Sequence, residues 1–207
     1  GMSLFFNVKC ITHRRNPVWQ SFISQFPPSE SSVIRQIACA NIIPQKLRDL
    51  NMPYVRQVAV HFTNGSDRYV VLQMAKNTSS GDVWRALEAM PRNFPAFSKI
   101  VVAVDEDIDP WNANLVNWAL TFRSQPHRDT RIIQYHAPDT MDYSIGPPPA
   151  EIPPSLAQFE EEQMPKVSAL LIDATLKWAF PPISLPKREY MERALKRKEL
   201  EYQLADI

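Results

Sequence analysis

The chain has 207 residues, 44% of them hydrophobic, with 23 basic and 22 acidic side chains and a formal net charge of +1. That is enough for one domain with its own core plus extensions, and so even a charge balance gives no reason to expect nucleic acid or a membrane surface as partner. No apolar run approaches the roughly 20 residues that span a bilayer, no signal peptide is visible, and Cys10 and Cys39 stand outside any CxxC pair, so a reduced, cytoplasmic protein is expected.

Residues 1–28 mix apolar and basic side chains and are broken by Pro17, Pro27 and Pro28, which reads as an N-terminal arm. Gly1 ahead of Met2 reads as a tag remnant. Ser29 to Ser32 offer caps for a helix over Ser32 to Ala40, with Val33, Ile34, Ile37, Ala38, Ile42 and Ile43 at helical spacing. Pro44 is expected to end it, with a second short helix over Gln45 to Leu50. Tyr54 to Phe62 alternates as a strand, Thr63 to Asp67 is a turn signal, and Arg68 to Met74 is the returning strand of a hairpin. A helix follows over Asp82 to Met90.

Ile100 to Val104 is a continuous apolar run, the pattern of a strand buried on both faces. Asp109, with Pro110 after it, reads as the cap of a helix from Trp111 to Arg123 whose core side carries Leu115, Trp118, Ala119 and Phe122. Thr130 to Tyr135 and Val167 to Ile172 are further strands, separated by a proline-rich loop from His136 to Pro165. Lys187 to Leu204 is a charged terminal helix. The order implies an α/β fold: a mixed, mostly parallel central sheet with helices packed on it, an N-terminal arm and a C-terminal helix. The expected divisions are 1–28 for the arm, 29–186 for the α/β domain and 187–207 for the terminal helix.

With 4 glycines against 19 prolines, neither GxGxxG nor GxxxxGK(S/T) occurs, so no glycine-rich phosphate loop is expected. The sharpest feature is Asp105-Glu106-Asp107-Ile108-Asp109 after the buried strand, at an edge where α/β sheets bind ligands. As a calcium loop it fails, because the sixth and twelfth positions hold Pro110 and Val116 in place of glycine and glutamate. As a metal-dependent phosphatase of the haloacid dehalogenase type, it would use Asp105 as nucleophile and Asp107 as acid/base, but Asp109 stands where DxDx(T/V) requires threonine or valine. The structural alternative is that Asp109 caps the following helix while its neighbours favour the positive helix end. His13 beside Arg14 and Arg15, and His136 at the loop entrance, are the other polar candidates. A metabolite-binding regulatory module, with an apolar pocket beside Tyr143 or Trp178, is a third reading.

Several segments together resemble the C-terminal domain of the UbiD family of prenylated-FMN-dependent decarboxylases and carboxylases. They are Phe6-Asn7-Val8 with Ile11-Thr12-His13-Arg14, Phe26 to Glu30, Pro53 to Val58, Lys99 to Asp109, Val116 to Ala119 with Arg123, and Leu171 to Thr175. The resemblance implies reversible, non-oxidative decarboxylation of aromatic or α,β-unsaturated acids by the complete enzyme. There, prenylated FMN works with a divalent metal and potassium, bound by a domain that precedes the Thr-His-Arg segment. No position here matches the family's catalytic, flavin or metal residues, so none is assigned, and the isolated chain is expected to be inactive. The resemblance further implies that this part completes the substrate pocket from one side, for which Met141, Tyr143, Trp178 and Phe180 are the candidates. It also implies a homo-oligomer, and with Met2 as the start, a subunit needing a separate flavin-binding catalytic partner or a remnant of a larger gene. The apolar, proline-rich stem from Trp178 to Pro186 places the terminal helix at or near the oligomer contact.

Overall fold

The computed structural model describes residues 6–21, 29–61, 68–136, 142, 144–145, 166–181 and 187–205, with side chains to residue 197. The chain divides into two compact units, 1–177 and 178–207. In the first, the elements run α1 (Glu30–Asp49), β1 (Val55–Val60), β2 (Tyr69–Met74), α2 (Ser80–Asn93), β3 (Ile100–Val104), α3 (Ala113–Phe122), the short α4 (Pro126–Asp129), β4 (Thr130–His136) and β5 (Lys166–Asp173). The second contains α5 (Arg188–Ala205). The expected turn over 63–67, most of the loop over 136–165 and the stem residues 182–186 lie outside the described residues.

The five strands form one mixed sheet in the order β1-β2-β3-β5-β4. The inner strands β2, β3 and β5 are parallel, and the edge strands β1 and β4 are each antiparallel to their neighbour. The expected hairpin is present: Val60 pairs with Val70 and Val55 with Met74, with an irregularity between Val55 and Gln57. The inner strands explain the apolar runs, since Val70, Val71, Leu72, Val101, Val102, Ala103 and Leu171 are fully buried. Strand β5 enters between β3 and β4, so the last strand of the sequence is interior and its predecessor is an edge.

Three local expectations are corrected. Pro44 does not end α1, which runs through it for 20 residues. Proline removes one N–H bond, but Ile43, Pro44 and Leu47 are all buried, and packing on the sheet holds both segments in line. The cap of α3 is Asn112, whose side-chain oxygen accepts from Asn114 N at 3.1 Å and Leu115 N at 3.3 Å, while Asp109 only closes the preceding turn onto Trp111 N at 3.0 Å. Helix α3 also faces inward differently. Val116 and Ala119 are buried, whereas Leu115 is 39% and Phe122 65% exposed, because the small Val116 and Ala119 let the helix lie close on the sheet.

Candidate functional site

Strands β3 and β5 end side by side, Ala103 opposite Asp173, and the acidic run turns away from that edge. Each acid in it has a partner. Asp105 Oδ2 accepts from Leu176 N at 2.6 Å and from Arg123 Nη1 at 3.1 Å. Asp107 receives Arg123 through both oxygens, Nη1 to Oδ1 at 2.8 Å and Nη2 to Oδ2 at 2.6 Å, the fork geometry that suits a guanidinium and a carboxylate. Glu106 Oε2 accepts from Lys76 N at 3.1 Å. Gln73, from β2, donates its amide to the carbonyls of Glu106 at 3.2 Å and Ile108 at 3.0 Å.

Arg123 follows directly on α3, and its side chain is only 4% exposed, against 23% for Asp105 and 55% for Asp107. Its guanidinium lies 5.0 Å from the Trp118 ring centre, and Trp118 stacks on Phe122 at 5.4 Å. A second cation completes the edge. Lys177 Nζ donates to the carbonyls of Asp173 at 2.5 Å and Thr175 at 2.9 Å and pairs with the Asp173 carboxylate at 3.0 Å. Asp173 Oδ1 also accepts from Thr175 N at 3.0 Å and Thr175 Oγ1 at 2.6 Å. Asp129 of α4 accepts from Gln125 N at 2.7 Å and from Arg128 Nε at 2.8 Å.

The electrostatics follow from burial and pairing. Burial raises the pKa of Asp105, with Leu176 N and Arg123 opposing it. Hydrogen bonds from Arg123 hold Asp107 below the usual carboxylate value. Burial pushes Asp129 up, but the bonds from Arg128 and Gln125 outweigh it and the net shift is downward. The arrangement is a clasp joining β3, α3 and the segment after β5, with its carboxylates already neutralised. A nucleophilic Asp105 with a free Asp107 is not what the geometry offers, because Arg123 grips both. Among the described residues no three His, Cys, Asp or Glu side chains form a group able to hold a metal ion.

Of the four pocket candidates, Met141 and Tyr143 lie outside the described residues. Asp142 between them is held by Lys99 Nζ at 2.8 and 3.0 Å and by Arg68 Nη1 at 3.3 Å, just ahead of β3 and β2. Trp178 and Phe180 belong to the second unit, with ring centres 6.3 Å apart and Trp178 58% exposed. His13 is exposed and bonds the Arg14 carbonyl at 2.7 Å. His61 is structural: it is buried, bonds the Pro110 carbonyl at 2.8 Å and stacks on Tyr69 at 5.2 Å. Both cysteines are free thiols, Cys10 exposed and Cys39 buried. Sequence reasoning missed Asp129 and Lys177, and noted Arg123 only as part of a motif. The available signal was an arginine at the end of a helix that starts just after four acids.

Fold and site together define an α/β domain whose sheet edge is closed by an acid–arginine clasp. Residues 32–174 match the model of the 3-octaprenyl-4-hydroxybenzoate carboxy-lyase C-terminal domain, and the chain belongs to this UbiD family. It is 31% identical over 138 residues to phenolic acid decarboxylase of Sedimentibacter hydroxybenzoicus, covering 67% of this chain and 28% of that protein. An evolved dimeric form of the UbiD-class enzyme HmfF from Pelotomaculum thermopropionicum, solved with prFMN, superposes with a TM-score of 0.58 and 26% identity, over 84% of this chain and 32% of that one. The closed form of the Sedimentibacter hydroxybenzoicus vanillic acid decarboxylase gives 0.59 and 26%, over 90% and 37%. The chain therefore spans about a third of these relatives' length. No helix among the described residues is long and apolar enough to cross a membrane.

Proposed function

We propose that this chain is the C-terminal part of a UbiD-class decarboxylase or carboxylase acting on aromatic or α,β-unsaturated carboxylic acids. In this reading it closes the substrate pocket from one side, builds the oligomer, and acts with a flavin-binding domain or subunit. The observation that carries it is the family match over residues 32–174 in a chain spanning about a third of its relatives. The clasp supports a scaffolding part: it fixes a sheet edge, with Asp105 and Asp107 both held by Arg123. Prenylated FMN supplies the electron sink for such a reaction, and a catalyst requires it. The described residues form no group of three His, Cys, Asp or Glu side chains for a metal, and no step is assigned to them.

The test is to incubate the 207-residue chain with prenylated FMN, manganese, potassium and a panel of aromatic acids, alone and with the flavin-binding part of a UbiD-class enzyme. The expectation is no flavin retention and no CO2 release alone, and substrate-dependent CO2 release from the mixture. Stoichiometric flavin retention by the chain alone would overturn the division of labour.

A further inference from the structure

Helix α2 turns one stripe to the core and another to a cleft. Val83, Ala86, Leu87 and Met90 are buried, while Gly81, Trp84, Arg85, Glu88 and Arg92 recur at helical spacing along a second face. Strand β4 supplies a further wall. Ile133 and Tyr135 pack on the core beneath α1 and α2, and Arg131, two residues before Ile133, shares their side of the strand. The turn after α1 adds Leu50 and Met52. The cleft that these residues line measures about 550 Å³, inside the range of small-molecule sites.

Its charge points to the occupant. Arg85, Arg92 and Arg131 converge on the cleft with Glu88 as the single lining carboxylate, in a chain whose net charge is only +1. Glu88 is shared: Oε1 accepts from Arg131 Nη1 at 2.6 Å and Oε2 from Arg92 Nη2 at 3.4 Å. Arg85 Nη2 donates to the Leu50 carbonyl at 3.2 Å. Asp82 does not line the cleft and accepts from Ser79 Oγ at 2.8 Å. Positive charge is therefore in excess, and each of these contacts uses a single N–H of a guanidinium that has several. Arg131 is also held in place, its guanidinium 3.9 Å from the Trp84 ring centre, so little side-chain freedom is lost when an anion meets it. A tie of β4 to α2 accounts for Arg131, Trp84 and Glu88, but not for Arg85 and Arg92 beside them. Exposed Glu–Arg pairs are weakly held, and an anion with more than one charge competes for them. We infer that this cleft binds a small organic anion carrying at least two negative charges, a phosphate ester or a polycarboxylate. Both present the paired oxygens that a guanidinium fork grips. The inference stands apart from the decarboxylase reading and does not depend on it.

Titration calorimetry of the 207-residue chain at low ionic strength, where exposed charges are least screened, tests it. Pyrophosphate and citrate are the two probes, and acetate is the singly charged control. A dissociation constant on the order of 0.1–1 mM is expected for at least one probe, with acetate weaker by about tenfold or more. Binding of pyrophosphate alone assigns the cleft to phosphate esters, of citrate alone to polycarboxylates, and of both to any anion of that charge. Arg92→Gln, at a side chain 70% exposed, should weaken binding about fivefold, as loss of one exposed charge-assisted contact implies, with unchanged circular dichroism. Gly81→Leu tests the cleft itself. A Cβ there meets only Ser79 Oγ at 3.9 Å, so the fold tolerates it; the charge is unaltered, and the side chain occupies the space and should block binding. No binding of either probe, acetate binding as well as they do, or an affinity unchanged by Arg92→Gln or by Gly81→Leu overturns the inference.

Discussion

One face of the sheet is covered by α1 and α2 and holds twenty buried hydrophobic residues among those described, from Cys39 to Leu171. The other, under α3, holds eight: Ala59, Val71, Val102, Val104, Ile108, Val116, Ala119 and Ala174. Several of those eight are alanine or valine, and they bury little hydrocarbon for each position filled. The charged clasp of Asp105, Asp107 and Arg123 lies on that second side, where α3 returns to the end of β3. The contrast shows two ways to fix a helix on a sheet. Hydrocarbon packing is non-directional and grows with area, whereas a paired guanidinium fixes one geometry and contributes less net stability.

The comparison breaks if damage on the two sides has equal cost. Leu87→Ala, deleting a fully buried side chain of α2, is expected to cost about 3 kcal/mol, read as a shift of the urea midpoint. Arg123→Ala should cost about 2 kcal/mol: breaking a buried pair is worth more, but Asp107 is 55% exposed and solvent screens it. Asp107→Asn, leaving Arg123 on Asp105, should cost about 1 kcal/mol or less. If Arg123→Ala is as damaging as Leu87→Ala, the clasp is a main support of the fold and not an adjunct to it.

The smallest effect is on pH. Burial pushes Asp142 upward, but hydrogen bonds from Lys99 and Ser144 outweigh it and bring its pKa to about 2. A carboxyl held below its unfolded value of 3.8 stabilises the fold above that pH and loses the contribution as pH falls from about 4 towards 2. With Lys99 itself 40% exposed, the loss should be about 1 kcal/mol. Chemical denaturation at pH 5 and pH 2.5, with Asp142→Asn as the reference, measures it. An Asp142→Asn variant whose stability falls with acid as steeply as the parent's would place the sensitivity elsewhere.

The amino-acid sequence by itself determined the strands and most helices. The short, β-branched apolar run Ile100 to Val104 reads as a doubly buried strand, and the spacing over α2 and α5 is that of helices, because these signals are local. The family was also legible, since the acid run, the Trp-Ala pair and Arg123 lie within one short segment. Only the tertiary structure decided which face of a helix is inside. In α1 both faces are apolar, so Ile34 and Ile37 look as buried in sequence as Ile43, and packing on the sheet selected Cys39, Ile43 and Leu47. It also decided that β5 enters beside β3, bringing Leu176 N onto Asp105 across 71 residues. Strand pairing and ion pairing depend on which elements meet in space, and no periodicity along the chain records that meeting.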